Sequence, residues 1–265
     1  MVWDDVRQIR AQAPLVLNIT NYVVMNTTAN ALLALGASPV MAHAIDEAED
    51  MARIAQALVI NIGTLSASWV ESMFKAGRVA RERGIGIVLD PVGCGATGYR
   101  TATSQRLVRE IRPTVIRGNA SEIRALLRSG GNTKGVDSRD DPDDVVADAR
   151  ELALSAGCVV SVSGAVDLIT DGTRVARLAN GHALMPRVTG MGCTASAITG
   201  AFVAVNPEPF SAATNAMAVM GVTGEIAGAG AAGPGSFQLN FLDALYNLDQ
   251  VQLSARLKLT GLAAG

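Results

Sequence analysis

Apolar positions along the chain change period in a regular way. Short apolar runs of strand character stand at Leu15–Thr20, Pro39–Ala42, Ala57–Ile62, Ile85–Asp90, Thr114–Arg117, Cys158–Ser163 and Val166–Thr170. Between them apolar residues recur every three or four positions, as in helices, over Tyr22–Leu35, Asp46–Ala55, Ser68–Arg83, Thr101–Ile111, Ala120–Arg128 and Asp143–Ala156. Repeated strand–helix units predict an α/β fold with a mostly parallel central sheet flanked by helices. Val175–Leu178 lies just beyond Asp171-Gly172 and is predicted as a hairpin partner of the strand before it. Ser68, with Glu71 three residues on, is a candidate helix cap.

After Arg187 the pattern becomes helical, over Thr194–Val205, Pro209–Ala227, Phe237–Asn247 and Asp249–Leu257. Neither a long linker nor a repeat interrupts the chain, so residues 1–265 are expected to form one domain. Gly130–Pro142 and the glycine-rich Gly228–Gly235 are the expected mobile loops.

Composition narrows the class. A chain of 265 residues can bury a substantial core. With 49% apolar and only 17% charged residues, part of the surface is expected to lie against other subunits. The formal net charge of −2 provides no footprint for nucleic acid or an anionic membrane. Cys94, Cys158 and Cys193 are odd in number and lack metal-ligand spacing, which argues against disulfides or zinc and for a reducing, cytoplasmic setting. Met1–Arg10 is charged and has no apolar signal core. The longest apolar run, Thr194–Val205, is too short to span a bilayer and reads as a buried helix.

The richest chemistry lies in Val188-Thr189-Gly190-Met191-Gly192-Cys193-Thr194-Ala195, a glycine turn that opens a helix of small residues. Helix N-terminal amides bind anions, and Gly190 and Gly192 can take positive φ and admit a ligand. Cys193 falls in the first turn, where the helix dipole favours a thiolate. In α/β sheets ligands bind at the carboxyl ends of strands. Asp90 ends one such strand and suits a metal or a phosphate-associated water, or else a turn. In Asn119-Ala120-Ser121-Glu122 the spacing reads either as a capping box or as a carboxylate reaching Mg²⁺ through water. Arg117 can pair with phosphate, or with a surface carboxylate. Ser163-Gly164 can meet a nucleotide or simply turn the chain, and Met41 can line a pocket or the core. His43 and His182 lack paired ligand spacing. The run from Gly190 to Ala195 satisfies G-x-G-x-x-A, but Met185-Pro186-Arg187 before it is a poor strand, so a dinucleotide fold is not expected.

Together these stretches resemble the hydroxyethylthiazole kinases, within the ribokinase-like superfamily. The matching segments are NITNYVVMNTTANALLALGASPVMAHA, ALVINIGTL, VLDPVGCGATGYRT, VIRGNASEI, KGVDS, VSGAVDLITDG, VTGMGCTAS and GPGSF, in the family's order. The resemblance implies ATP- and Mg²⁺-dependent phosphorylation of the hydroxyl of 4-methyl-5-(2-hydroxyethyl)thiazole in thiamine biosynthesis, by a homotrimer with active sites between subunits. It places Asp90 and Glu122 at the metal, and Arg117 and Ser163 at ATP. Asn21, Met41 and Gly190 fall at the thiazole, and Cys193 where sugar kinases carry a catalytic aspartate. Cys94, Tyr22 and Ser163-Gly164-Ala165 depart from the family's usual residues. The competing readings are a kinase of another heterocyclic alcohol, such as hydroxymethylpyrimidine, and a non-catalytic nucleotide-binding protein on the same fold.

Overall fold

The computed structural model describes residues 1–128 and 142–261. The expected loop Gly130–Pro142 and the KGVDS segment lie outside the described residues, apart from Pro142, which opens a helix. In chain order the elements begin with α1 (Val2–Gln12), β1 (Leu15–Ile19), α2 (Met25–Leu35), β2 (Ser38–Met41), α3 (Ala48–Ile54) and β3 (Ala57–Asn61). There follow α4 (Ala67–Arg83), β4 (Gly86–Asp90), α5 (Gly98–Ile111), β5 (Val115–Asn119), α6 (Ala120–Arg128), α7 (Pro142–Ala156) and β6 (Val159–Ser163). The last third holds β7 (Asp167–Thr170), β8 (Val175–Leu178), α8 (Met191–Val205), α9 (Pro209–Ala229), α10 (Pro234–Asn247), α11 (Gln250–Arg256) and β9 (Leu259–Thr260).

The strands form one sheet in the order β2-β1-β3-β4-β5-β6-β7-β8-β9. From β2 through β6 every pairing is parallel, and β7, β8 and β9 add antiparallel strands at one side. The hairpin across Asp171-Gly172 forms as expected. Strand residues alternate between two cores. Val16, Val88 and Val115 face α1, α2, α8, α9 and α10, whereas Leu17, Leu89 and Ile116 face α3 to α7. Both faces are covered, which is why the parallel strands read as near-continuous apolar runs.

Several local expectations shift. The helix expected from Tyr22 starts at Met25, because Asn21–Val24 turn first, with Val24 N donating to Asn21 O at 3.3 Å. Helix α4 is capped by Ser66 rather than Ser68, its side chain accepting from Trp69 N. The glycine-rich loop shrinks to four residues, since α9 runs to Ala229 and α10 begins at Pro234. The N-terminus, read only for charge, forms α1, which buries Val2, Asp5, Val6 and Ile9 on one face. Thr194–Val205 is a buried helix as expected, and among the described residues no helix is long and apolar enough to cross a membrane.

Candidate active site

The parallel strands all finish at one edge of the sheet, and α8 brings its N-terminus to that edge. Ser196 Oγ, one turn into α8, donates to Asp90 Oδ2 at 2.6 Å and ties the helix to the end of β4. A 3-10 turn, Met185–Arg187, precedes α8 where a dinucleotide fold would have a strand. The N-cap, Gly190, has φ 84°, and no side chain caps the helix. The first amide bonded back into the helix is that of Thr194, to Gly190 O at 2.8 Å, so those of Met191, Gly192 and Cys193 are free for an anion. Gly192, which could also take positive φ, does not. It gives room to Arg117, because a Cβ there would lie 2.8 Å from Arg117 Nη1 and the guanidinium would have to shift.

Arg117 does not end its strand. Strand β5 continues to Asn119, and Arg117 is only 7% exposed, which rules out the surface ion pair considered for it. Its Nε has no hydrogen-bond partner among the described residues. A buried guanidinium beside free helix amides is a ready receptor for phosphate.

From this point a cavity of about 770 Å³ opens. Its lining includes Asp90, Arg117, Glu122, Ser163, Gly190 and Cys193, so six of the eight expected site residues share one space. The far wall is largely apolar and carries Ala179 to Ala183, Met185, Met217 and Met220. Ser163 Oγ reaches Gly118 O at 3.5 Å. His182 stacks on Phe237, with ring centroids 5.9 Å apart, and its Nδ1 accepts from Leu184 N at 3.2 Å. His43 instead packs on Trp69 at the other end of the strand edge, with Tyr22 against the same ring.

Asp90 is 1% exposed, and both of its side-chain hydrogen bonds, from Ser196 Oγ and Asn61 Nδ2, fall on Oδ2. Burial raises its pKa to about 6, against the pull of Arg117 and the Ser196 bond. Glu122 forms the cap that its spacing predicts. Its Oε2 accepts from Asn119 N at 2.8 Å while Asn119 Oδ1 accepts from Glu122 N at 2.9 Å, a reciprocal cap. Its Oε1 accepts from Gly93 N at 2.8 Å, which holds the loop after β4 against the cavity.

Cys193 corrects an expectation. The dipole of α8 was expected to favour a thiolate, but burial pushes the thiol up, the nearby Asp90 pushes it further, and the opposing Asn61, Asn21 and Arg117 do not compensate. Asn21 is 4% exposed and touches Cys193, its Nδ2 lying 3.5 Å from Sγ, without lining the cavity. Met41 is not brought to this point. It ends β2 at the sheet edge, half-buried and separated from β4 by β1 and β3.

Four further residues shape the site. Asn61 stands beside Asp90 in the β3–β4 register, so the strand-end rule that singles out Asp90 applies equally to it. Gly93 contributes the amide held by Glu122. Arg100 donates to Ile62 O at 2.8 Å, Val92 O at 2.7 Å and Gly63 O at 2.7 Å, joining the loops after β3 and β4. Asp167 lines the cavity, accepts from Gly164 N at 3.0 Å and has its pKa raised by burial to about 6.

Among the described residues no group of three or more His, Cys, Asp or Glu side chains converges as a metal cage. The donor set, Asp90 with its Oδ1 unengaged among the described residues and Glu122 in the same cavity lining, suits a cation that keeps waters and shares phosphate oxygens.

Comparison with known proteins gives a consistent result. The model of the hydroxyethylthiazole kinase family matches residues 6–251. A hydroxyethylthiazole kinase of Oleidesulfovibrio alaskensis is 57% identical over 254 residues, 96% of each chain. That of Leptospira biflexa is 54% identical over 254 residues, covering 96% of this chain and 95% of the relative. The solved hydroxyethylthiazole kinase from Pyrococcus horikoshii superposes with a TM-score of 0.92 at 45% identity, over 99% of both chains. The pyridoxal kinase of Staphylococcus aureus in complex with AMP-PCP and pyridoxal has a TM-score of 0.60 at 18% identity, over 80% of this chain and 88% of that one, and shares the fold.

Proposed function

The chain belongs to the hydroxyethylthiazole kinase family, and we propose that it transfers the γ-phosphoryl group of ATP to the hydroxyl of 4-methyl-5-(2-hydroxyethyl)thiazole, as a step of thiamine biosynthesis or salvage. The observation that carries this reading is the buried Arg117 lying against Gly192 at the uncapped N-terminus of α8, in a cavity roomy enough for a nucleotide. In phosphoryl transfer the protein contributes chiefly position and fixed positive charge where negative charge develops. The free amides of α8 and the Arg117 guanidinium supply both. Ser163 and the apolar wall hold the nucleotide.

Asp90 and Glu122 would hold Mg²⁺, which when bound neutralises phosphate charge. Cys193 and Asn21 flank the place of the acceptor hydroxyl, Cys193 orienting it rather than acting as a strong base, because the thiol is held protonated. The γ-phosphoryl bond to the ADP oxygen breaks as the bond to the substrate oxygen forms, and the hydroxyl proton passes to an oxygen of the transferred phosphoryl group.

The whole chain acts as one kinase unit in a homotrimer whose active sites lie between subunits. Tyr22 and Val23, next to Asn21, are 64% and 62% exposed, which supports a neighbouring subunit covering this side and completing the acceptor pocket around Met41. Sedimentation that finds an active monomer would overturn the trimer. The three unpaired cysteines support a cytoplasmic setting.

The deciding assay measures phosphorylated product by mass spectrometry with the thiazole alcohol, hydroxymethylpyrimidine or no acceptor, with and without Mg²⁺. The expected result is thiazole phosphate, dependent on Mg²⁺. A preference for the pyrimidine alcohol, or nucleotide binding without transfer, would replace this reading.

A further inference from the structure

Asn61 links two parts of the site that are far apart in sequence. Its Nδ2 donates to Asp90 Oδ2 at 3.1 Å, and its Oδ1 accepts from Gly63 N at 2.9 Å and from Asn21 Nδ2 at 2.9 Å. A backbone N–H can only donate, so the Gly63 amide alone fixes which end of the Asn61 side chain carries the oxygen. That oxygen in turn requires Asn21 to present its NH₂ group. The same Asn21 nitrogen then points at Cys193 Sγ, 3.5 Å away. The orientation passes from the backbone through two amides to the sulfur.

We infer that Asn61 is a positioning residue for the acceptor alcohol. It fixes the Asn21 amide with its N–H toward Cys193 and its carbonyl oxygen free to accept from the substrate hydroxyl. Asn21 Oδ1 accepts no hydrogen bond among the described residues, whereas its nitrogen serves two neighbours. The two ends of an amide are almost the same size, so without Asn61 only the weak contact with Cys193 opposes a half-turn. A turned Asn21 would offer the hydroxyl a donor where it needs an acceptor, and would make Cys193 the donor in its own contact.

This inference rests on the kinase reading for its substrate but not for its geometry, and the test separates the two. Wild type, Asn61→Ala, Asn21→Ala and the double variant form a cycle. One arm measures binding of the thiazole alcohol by calorimetry. The other measures iodoacetamide alkylation of Cys193 in the ligand-free protein, located by peptide mass. Asn61→Ala should weaken binding of the alcohol, measured without ATP or Mg²⁺, about 3- to 10-fold, the scale of one hydrogen bond. It should also slow alkylation of Cys193. In the Asn21→Ala background the effect on alcohol binding should vanish and the effect on alkylation should shrink. Effects of Asn61→Ala that persist undiminished without the Asn21 side chain would overturn the inference. A wild type with no affinity for the alcohol would remove the kinase reading, and the alkylation arm would still decide the Asn61–Asn21 link.

Discussion

The space that a side chain on Gly192 would fill is taken by Arg117, whose Nη1 lies 2.8 Å from the position of the missing Cβ. The second residue of α8 and the guanidinium from β5 therefore meet at the anion-binding end of the helix. Gly192→Ala should leave α8 intact, because alanine favours helix and the tip of an arginine can move. It should displace the guanidinium and lower kcat/KM for ATP by about 10- to 100-fold, the scale of losing one oriented charge-assisted contact. Steady-state kinetics alongside thermal unfolding checks this; an unchanged kcat/KM would remove Arg117 from the phosphate site.

Asp90→Asn and Glu122→Gln should each reduce turnover by roughly 10²-fold or more, with weaker dependence on Mg²⁺. Glu122→Gln should also loosen the loop after β4, since an amide reproduces only part of a carboxylate that accepts from both Gly93 and Asn119. Titrating activity against Mg²⁺ for each variant is the measurement. Wild-type turnover in both would place the metal elsewhere.

Cys193→Ala should slow turnover near the low end of the about 10²- to 10⁴-fold range of general-base effects, because the buried thiol is a poor base. Cys193→Asp should keep activity, a carboxylate being able to accept the hydroxyl proton at a helix N-terminus. Intact-mass measurement during turnover should find no phosphorylated enzyme. An adduct on Cys193 would instead require a covalent route.

Asp167 links pH to stability. Burial raises its folded pKa to about 6, above the unfolded value, so its stabilising contribution is present below about pH 4 and is lost as pH rises through 6. A shift of about two units corresponds to roughly 3 kcal/mol at most. Nucleotide-free Asp167→Asn should therefore be more stable than wild type at pH 8, and the two should converge near pH 4. Urea unfolding at both pH values tests this; equal stability at pH 8 would show that the buried carboxylate carries no such cost.

Much of the architecture was legible in the chain because it follows from local pattern. Parallel strands buried on both faces leave continuous apolar runs, and their polar terminators, Asp90, Asn119 and Ser163, mark the edge where ligands bind. The glycine turn before α8 announced a bare helix N-terminus, and the capping box at Asn119 and Glu122 formed as its spacing predicts. Two elements left little trace in the sequence pattern. Strand β9 has two residues, too few for any period, while α1 had an apolar face at Val2, Val6 and Ile9 that its charges obscured.

What only the tertiary structure decided is which side chains compete for the same space and the same protons. The sequence placed Asp90 at a strand end and Cys193 in the first turn of a helix; the β3–β4 register and the docking of α8 made Asn61 a bridge and Asp90 a shared acceptor. The dipole of α8 can be inferred from a motif, but the desolvation that overrides it at Cys193 depends on everything packed around the sulfur. Glycine at position 192 similarly meant backbone freedom in the motif and room for Arg117 in the fold. Local preferences act along the chain and can be read from it, whereas burial, register and close approach are properties of distant segments meeting.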